Sequence, residues 1–294
     1  MKKIVLLSLL FLAYSGFSQE NEVVNDSIGK LWTAKGNADI LFNQSTFDNW
    51  LAGGENNISG TIKINYDINY KEEDWNWDNK IIASYGLVKT KTSSFAKKTD
   101  DQLEINSLLG KRLNPESSWF YSAFLNFKTQ ITKGYVYDKD FNGVEIRNSY
   151  TNFMSPGYLL VGPGLLWKKN DNLKVNLAPL TSKFTFVNAA FTTPNEGYFG
   201  VEEGKSMRYE LGFNASAYYK LDLVANVTME NILNLYSNYL EDFQNVDLDY
   251  QMNINMKINR FLTTNFSFQT IYDDNAFQGF QTRQVLGVGA TVNF

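Results

Sequence analysis

From Val246 to Asn259 apolar and polar residues alternate without a break. Val246, Leu248, Tyr250, Met252, Ile254, Met256 and Ile258 take every second place, with Asp247, Asp249, Gln251, Asn253, Asn255, Lys257 and Asn259 between them. Successive side chains on a strand point to opposite faces, so this is a strand with one apolar and one wet face. It exceeds the roughly 5–6 residues of an ordinary strand. It suits a tilted stave crossing a membrane, where about 9–11 residues span the lipid and the ends overhang. The same pattern predicts about twelve strands: Lys35–Ser45, Ile58–Tyr70, Trp77–Thr90, Gln102–Leu113, Trp119–Ile131, Gly157–Lys168, Leu173–Phe186, Ser206–Lys220, Leu221–Leu235, Val246–Asn259, Leu262–Tyr272 and Arg283–Phe294. Within Leu173–Phe186 the phase changes between Leu177 and Phe184, around Pro179, which predicts a bulge.

The connections alternate in length. Those after Tyr70, Leu113, Lys168, Lys220 and Asn259 are short, and those after Thr90, Ile131, Phe186, Leu235 and Tyr272 are longer. Short turns at one end and long loops at the other are the habit of outer-membrane barrels. Trp75, Trp77, Trp119, Phe120, Trp167 and Tyr219 gather by the short turns, as an interfacial aromatic girdle should. A soluble sandwich or lipocalin-like barrel shows the same alternation. It would not fill the polar face of whole strands with long charged and amide side chains. The reading is therefore an all-β, about twelve-stranded, antiparallel transmembrane barrel of the outer membrane. Lipid forbids an unpaired edge, so the last strand must close against the first.

The amino terminus adds a destination. Lys2 and Lys3 precede an apolar run, and small residues stand at Gly16 and Ser18. Residues 1–18 read as a cleavable signal peptide, residues 19–32 as a periplasmic lead and residues 33–294 as the barrel. The chain has no Cys and no His, which removes thiolate and imidazole chemistry. Without Lys2 and Lys3 there are 25 basic against 31 acidic side chains, a balance that argues against nucleic acid. The expected partners are outer-membrane lipid and, through the terminal Phe294, the barrel-assembly machinery. The barrel is expected to be monomeric and to need no cofactor.

Candidate chemistry is sparse. The stretch from Asn43 to Asn57, N-Q-S-T-F-D-N-W-L-A-G-G-E-N-N, joins the first two strands. Closure of the ring would bring it beside the Asp273–Thr282 loop. Trp50, Gly53, Gly54, Glu55, Asp273 and Asp274 therefore form the candidate binding patch. The stretch also resembles the signature opening of the domain-of-unknown-function 3078 family of Bacteroidota secreted proteins. K-T-D-D-Q-L-E-I-N-S at 98–107, W-F-Y-S-A-F-L-N-F-K-T-Q at 119–130, L-Y-S-N-Y-L-E at 235–241, M-K-I-N-R-F-L at 256–262, Q-T-I-Y-D-D at 269–274 and V-L-G-V-G at 285–289 fit as well. The resemblance implies an outer-membrane protein and brings no activity, substrate or catalytic residue.

Asp138, Asp140 and Asn142, with Gly143, match the first half of a calcium loop, but Ser149 stands where the closing Glu belongs. A hairpin turning at Asn142–Gly143 is the simpler reading, and no metal site is assigned. Gly162-x-Gly164 and Gly287-x-Gly289 open no helix, so they are not nucleotide fingerprints. They read as places where the wall needs small residues. The polar face carries both signs: Lys63, Asp67, Glu104, Lys128, Arg208, Glu210, Asp247, Asp249 and Lys257 are expected to line the lumen. The function expected is a narrow conduit for small polar solutes. The alternative is a structural or assembly component that binds protein or envelope polymers through its loops. No enzyme is expected, since a membrane-barrel hydrolase would use a His as base.

Overall fold

The computed structural model describes residues 31–46, 55–192, 198–259 and 261–294. The alternation becomes strands β1 (Trp32–Ser45), β2 (Asn57–Glu72), β3 (Trp75–Thr90), β4 (Lys97–Arg112), β5 (Trp119–Thr129), β6 (Gly134–Lys139), β7 (Glu145–Thr151), β8 (Gly157–Asn170), β9 (Leu173–Phe186), β10 (Met207–Val224), β11 (Val227–Asn238), β12 (Val246–Lys257), β13 (Leu262–Asp273) and β14 (Phe277–Asn293). A single helical turn, α1 (Ala189–Thr192), follows β9. Twelve strands form one closed antiparallel ring in the order β1-β14-β13-β12-β11-β10-β9-β8-β5-β4-β3-β2. Strands β6 and β7 pair separately as the hairpin expected between β5 and β8. The predicted signal and lead lie outside the described residues, apart from Leu31 and Trp32.

The ring closes as expected, β1 against β14, with Ile40 opposite Ala290 and Phe42 opposite Val288. Gly36 and Phe294 exchange both backbone bonds just beyond that ladder, at 2.7 and 3.0 Å. Gly289 shows why the seam needs a small residue, since a Cβ there would lie 1.9 Å from the Ile40 carbonyl oxygen. The bulge near Pro179 is present too. Ser182 pairs with Val161 while Leu177 pairs with Leu165, so the register slips between them. Residues Thr181, Lys183 and Thr185 therefore turn to the lumen, where each is buried. Gly162 and Gly164 face this bulge, and a Cβ on either would come within 2.6 Å of a β9 carbonyl.

Three boundaries differ from expectation by five residues or more. The turn placed at Lys220–Leu221 lies at 225–226, where Asn226 takes φ 66. The alternation runs on through Leu223, and Asn tolerates the left-handed backbone that the turn requires. Strand β4 begins at Lys97 and β14 at Phe277, each earlier than expected, because their polar stretches still alternate on the ladder. The connection from β13 to β14 is consequently short, at 274–276.

The outer face is apolar along the strands, with Ile40, Ile62, Leu165, Leu286 and Val288 all exposed. Near the short-turn end Trp32 meets Tyr70 at 5.0 Å and Trp77 at 5.7 Å. Trp75, Trp119 and Tyr219 are exposed at the same end. Phe120 does not belong to this girdle. On β5 the even-numbered residues face inward, and Phe120 is 2% exposed, stacked under the Arg112 guanidinium at 5.1 Å.

Candidate functional site

A barrel of this size holds whatever its inward residues leave unfilled. At mid-height they leave little. Glu104 of β4 is fully buried. Its carboxylate accepts hydrogen bonds from Gln102 at 3.0 Å, Asn106 at 2.9 Å, Asn126 at 3.2 Å and Gln251 at 2.9 Å. Gln251 is on β12, directly opposite β4 in the ring, so that bond crosses the full diameter. Lys128 of β5 reaches Asp249 of β12 across the same layer and stands 3.7 Å from Glu104. Gln269 donates to Asp249 at 3.0 Å. A buried carboxylate is costly unless its lone pairs are met, and here four amides and an ammonium meet them.

Toward the short turns the lumen is filled. Lys80 of β3 bonds to Glu230 of β11, again diametrically opposite, at 3.0 Å, and to Asp67 at 3.3 Å. Tyr218 donates to Glu230 at 2.7 Å. Asp78 takes Lys168 at 3.0 Å and Lys174 at 2.8 Å. Phe120 and Leu166 point inward among these groups and are no more than 2% exposed.

Above the Glu104 layer, on the long-loop side, lies a cavity of about 540 Å³. Asn126, Lys128 and Asp249 form its floor, and Tyr158, Leu160, Asn214, Asn234, Tyr236 and Ile271 are among its walls. Phe199, from the connection between β9 and β10, reaches it from above. Tyr198 beside it donates to the Tyr150 carbonyl at 2.7 Å, and Arg208 donates to the Gly200 carbonyl at 3.3 Å, pinning that loop inward. Its lining charges are Asp101, Asp247, Asp249 and Asp273 against Lys128, Lys183 and Arg283. Each is paired. Lys183 contacts Asp247 at 2.6 Å, Glu210 at 3.3 Å and Asp273 at 3.4 Å. Arg283 contacts Asp100, and Asp101 contacts Lys98 at 2.6 Å.

Three polar atoms of wall residues are buried and have no partner among the described residues: Asn214 Oδ1, Asn234 Nδ2 and Tyr236 Oη. They share one wall, since Asn214 of β10 is register partner to Tyr236 of β11 and Asn234 is two residues along the same inward face. Asn214 is 1% and Tyr236 4% exposed.

The residues singled out in the sequence are distributed as follows. Glu104, Lys128, Asp247 and Asp249 meet at or just above the mid-height layer. Lys63 donates to Ser267 at 2.7 Å, and Asp67 belongs to the Lys80 cluster. Arg208 bridges Glu210 at 3.2 Å and Glu241 at 2.9 Å. Lys257 is exposed at the short-turn end of β12. Within the patch, Asp273 and Asp274 lie together with Asp247, their carboxylate oxygens within 4.8 Å of one another. The Lys183 ammonium already sits against two of the three. Glu55 accepts from the Thr92 backbone at 3.0 Å and from the Thr92 hydroxyl. Trp50, Gly53 and Gly54 lie outside the described residues. Asp140 accepts the backbone N–H groups of Asn142 at 2.9 Å and Val144 at 2.8 Å, and Asp138 accepts that of Lys139 at 2.7 Å. These carboxylates fasten the β6–β7 turn.

Comparison with known proteins adds a family. Residues 42–135 match the family described as Protein of unknown function (DUF3078). The match takes in the Asn43–Asn57 stretch and the segments at 98–107 and 119–130, and the later resembling segments lie beyond it. No curated protein matches the sequence. Among solved structures, the translocator domain of the autotransporter NalP from Neisseria meningitidis is 10% identical. It covers 100% of this chain and 96% of its own, with a TM-score of 0.39. The COG4313 outer membrane channel from Pseudomonas putida F1 is 7% identical, covering 94% and 100%, with a TM-score of 0.39. The beta domain of the Bordetella autotransporter BrkA is 7% identical, covering 90% and 97%, with a TM-score of 0.30.

Two parts of the site escaped sequence reasoning. Lys183 was hidden by the phase change at Pro179, although counting outward from Phe186 places it on the polar face. Asn234 and Tyr236 share the inward parity of Glu230, but a search for charge passes over neutral groups.

Proposed function

We propose that this is an outer-membrane barrel that takes a small polar solute into its upper lumen from outside. It passes that solute inward along a narrow path gated by the Glu104 layer. The observation that carries the reading is the 540 Å³ cavity standing directly on side chains bonded across the lumen. Small-solute sites in proteins span roughly 300–1,000 Å³. Among the described residues, the layer below is made of side chains, which exchange rotamers. The apolar exterior would face lipid, and the long loops would face out. Residues 1–18 would direct export, and barrel-assembly machinery would insert the chain. Because the ring closes on itself, one copy suffices.

The test is conduction across planar bilayers. The native barrel should carry little or no current, since ion pairs span its middle. Replacing Glu104, Lys128 and Asp249 together with Ala removes the gate without leaving a lone charge, and conductance should rise at least tenfold. An opened barrel that stays silent would overturn the conduit and favour a structural component acting through its loops.

A further inference from the structure

The chemistry of the cavity narrows what it can hold, and the following step rests on the solute reading above. All seven lining charges are engaged with partners of opposite sign on the protein. An anion would meet more carboxylates than cations, since Lys183 alone faces Asp247, Asp273 and Glu210, and a cation would have to compete with the Lys183 ammonium already seated among them. A neutral solute meets neither obstacle. The lining therefore selects against net charge on either side.

What it offers is a short row of neutral hydrogen-bonding groups. Asn214 Oδ1 accepts only, Asn234 Nδ2 donates only, and Tyr236 Oη does both. The other amide group of Asn214 is already committed, donating to the Leu235 carbonyl at 3.1 Å. Six more buried side-chain atoms lack partners among the described residues: Asn76 Nδ2, Ser84 Oγ, Asp100 Oδ2, Arg112 Nε, Asn176 Nδ2 and Asn265 Nδ2. They are scattered over β3, β4, β9 and β13, and none lines the cavity. Only on the β10–β11 wall do such atoms cluster beside open space. A hydroxyl group satisfies any of the three, because it both gives and receives a hydrogen bond. Adjacent hydroxyls on one carbon skeleton would satisfy all three. The ring of Tyr158 adds flat apolar surface of the kind that packs against the C–H face of a sugar ring, while the Tyr236 ring lies under the Lys183 ammonium at 5.0 Å.

We infer that the upper lumen is a binding site for a neutral polyhydroxylated solute, a saccharide of one or two rings, read by Asn214, Asn234 and Tyr236. A protein keeps an unpaired buried polar group only at a cost in stability. Here the bound solute supplies the missing partner.

The experiment uses the full mature barrel in detergent micelles and isothermal titration with four probes. These are maltose, glucose, glucuronate and glucosamine, each also titrated into the variants Tyr236→Phe and Asn234→Ala. Maltose or glucose should bind, and each variant should weaken that binding at least tenfold. Glucuronate and glucosamine should bind at least tenfold more weakly than glucose. Tyr236→Phe keeps the ring and deletes only an unpaired hydroxyl, so its thermal midpoint should equal or exceed that of the native barrel. That result separates lost recognition from lost folding. Failure of both neutral sugars to bind, equal binding of the charged sugars, or native affinity in both variants would each overturn the inference. The conductance of the gate-opened barrel is measured separately. If it rises while no neutral sugar binds, the conduit stands and the solute class is wrong.

Discussion

The two halves of the lumen are lined from the same vocabulary and end in opposite states. Below the Glu104 layer, Lys80, Glu230, Asp78 and Lys168 neutralise each other, and Phe120 and Leu166 fill the gaps. Above it, Lys183, Asp247, Asp273 and Arg283 are just as fully paired, yet open space remains and three neutral groups are unpaired. Charge pairing therefore does not mark where a barrel is open. What distinguishes the halves is the fate of the neutral inward residues. Below, Phe120 and Leu166 fill the space between scattered amides, and above, amides and phenols line a cavity.

The largest effect should come from breaking the boundary between the halves. Lys128→Met would leave Glu104 and Asp249 buried without their cation. Removal of one partner from a buried pair costs about 3–5 kcal/mol, so urea unfolding followed by gel mobility should show a loss of that order. A loss under about 1 kcal/mol would mean that the layer is wet and the lumen already open. Next come two matched truncations. Leu166→Ala, at 1% exposure in the filled half, should cost about 2–5 kcal/mol, as for other large-to-small core changes. Leu160→Ala, three β8 pleats higher and half-buried at the cavity wall, should cost less than half as much, because one of its sides has fewer contacts to lose. Equal costs would erase the distinction between the halves.

The smallest effect lies outside the lumen and sharpens the comparison by its independence. Hairpin β6–β7 is held down by Glu145, which pairs with Lys97 at 2.7 Å and accepts from the Ser94 backbone at 2.7 Å. The Lys97 hydrogen bond, foremost, holds the Glu145 carboxyl at about 2, below its ordinary value of 4.5. A lowered folded-state value means docking is favoured above pH 4.5 and lost only as pH falls through 2. A spin label at the exposed Phe141 should keep the same mobility from about pH 8 down to pH 5 and loosen only in strong acid. Loosening near neutral pH would show that another group holds the hairpin.

Most of the wall was legible in the sequence because lipid enforces it. An outward residue must be apolar and an inward one is free to be polar, so a period of two survives along every stave. Strand ends were less legible, because beyond the lipid that pressure lapses and polar residues alternate with polar residues, as at Lys97–Asp100, or a register shift breaks the period, as between Phe277 and Phe280. Phe120 was misassigned for a related reason. Proximity to a short turn suggested the girdle, but strand parity decides the face. The site was legible only in its charges. Whether two inward charges meet depends on how the staves are ordered round the ring, and nothing local to Lys128 names Asp249 as its partner. The cavity is a property of volumes summed over facing strands, which no single stretch records.

One joint in the wall differs from the rest. Strands β2 and β3 match sixteen residue pairs, from Asn57–Thr90 to Glu72–Trp75, whereas β1 and β14 match six, from Asn37–Asn293 to Phe42–Val288, with the Gly36–Phe294 exchange beyond them. A ring with one short joint has a preferred place to become a ribbon. The eleven longer joints link strands that follow one another in the chain or are bridged by the hairpin, and this one joins the first strand of the ring to its last. The tube and the flat sheet of this chain thus differ by one zip, and Phe294 is its final tooth.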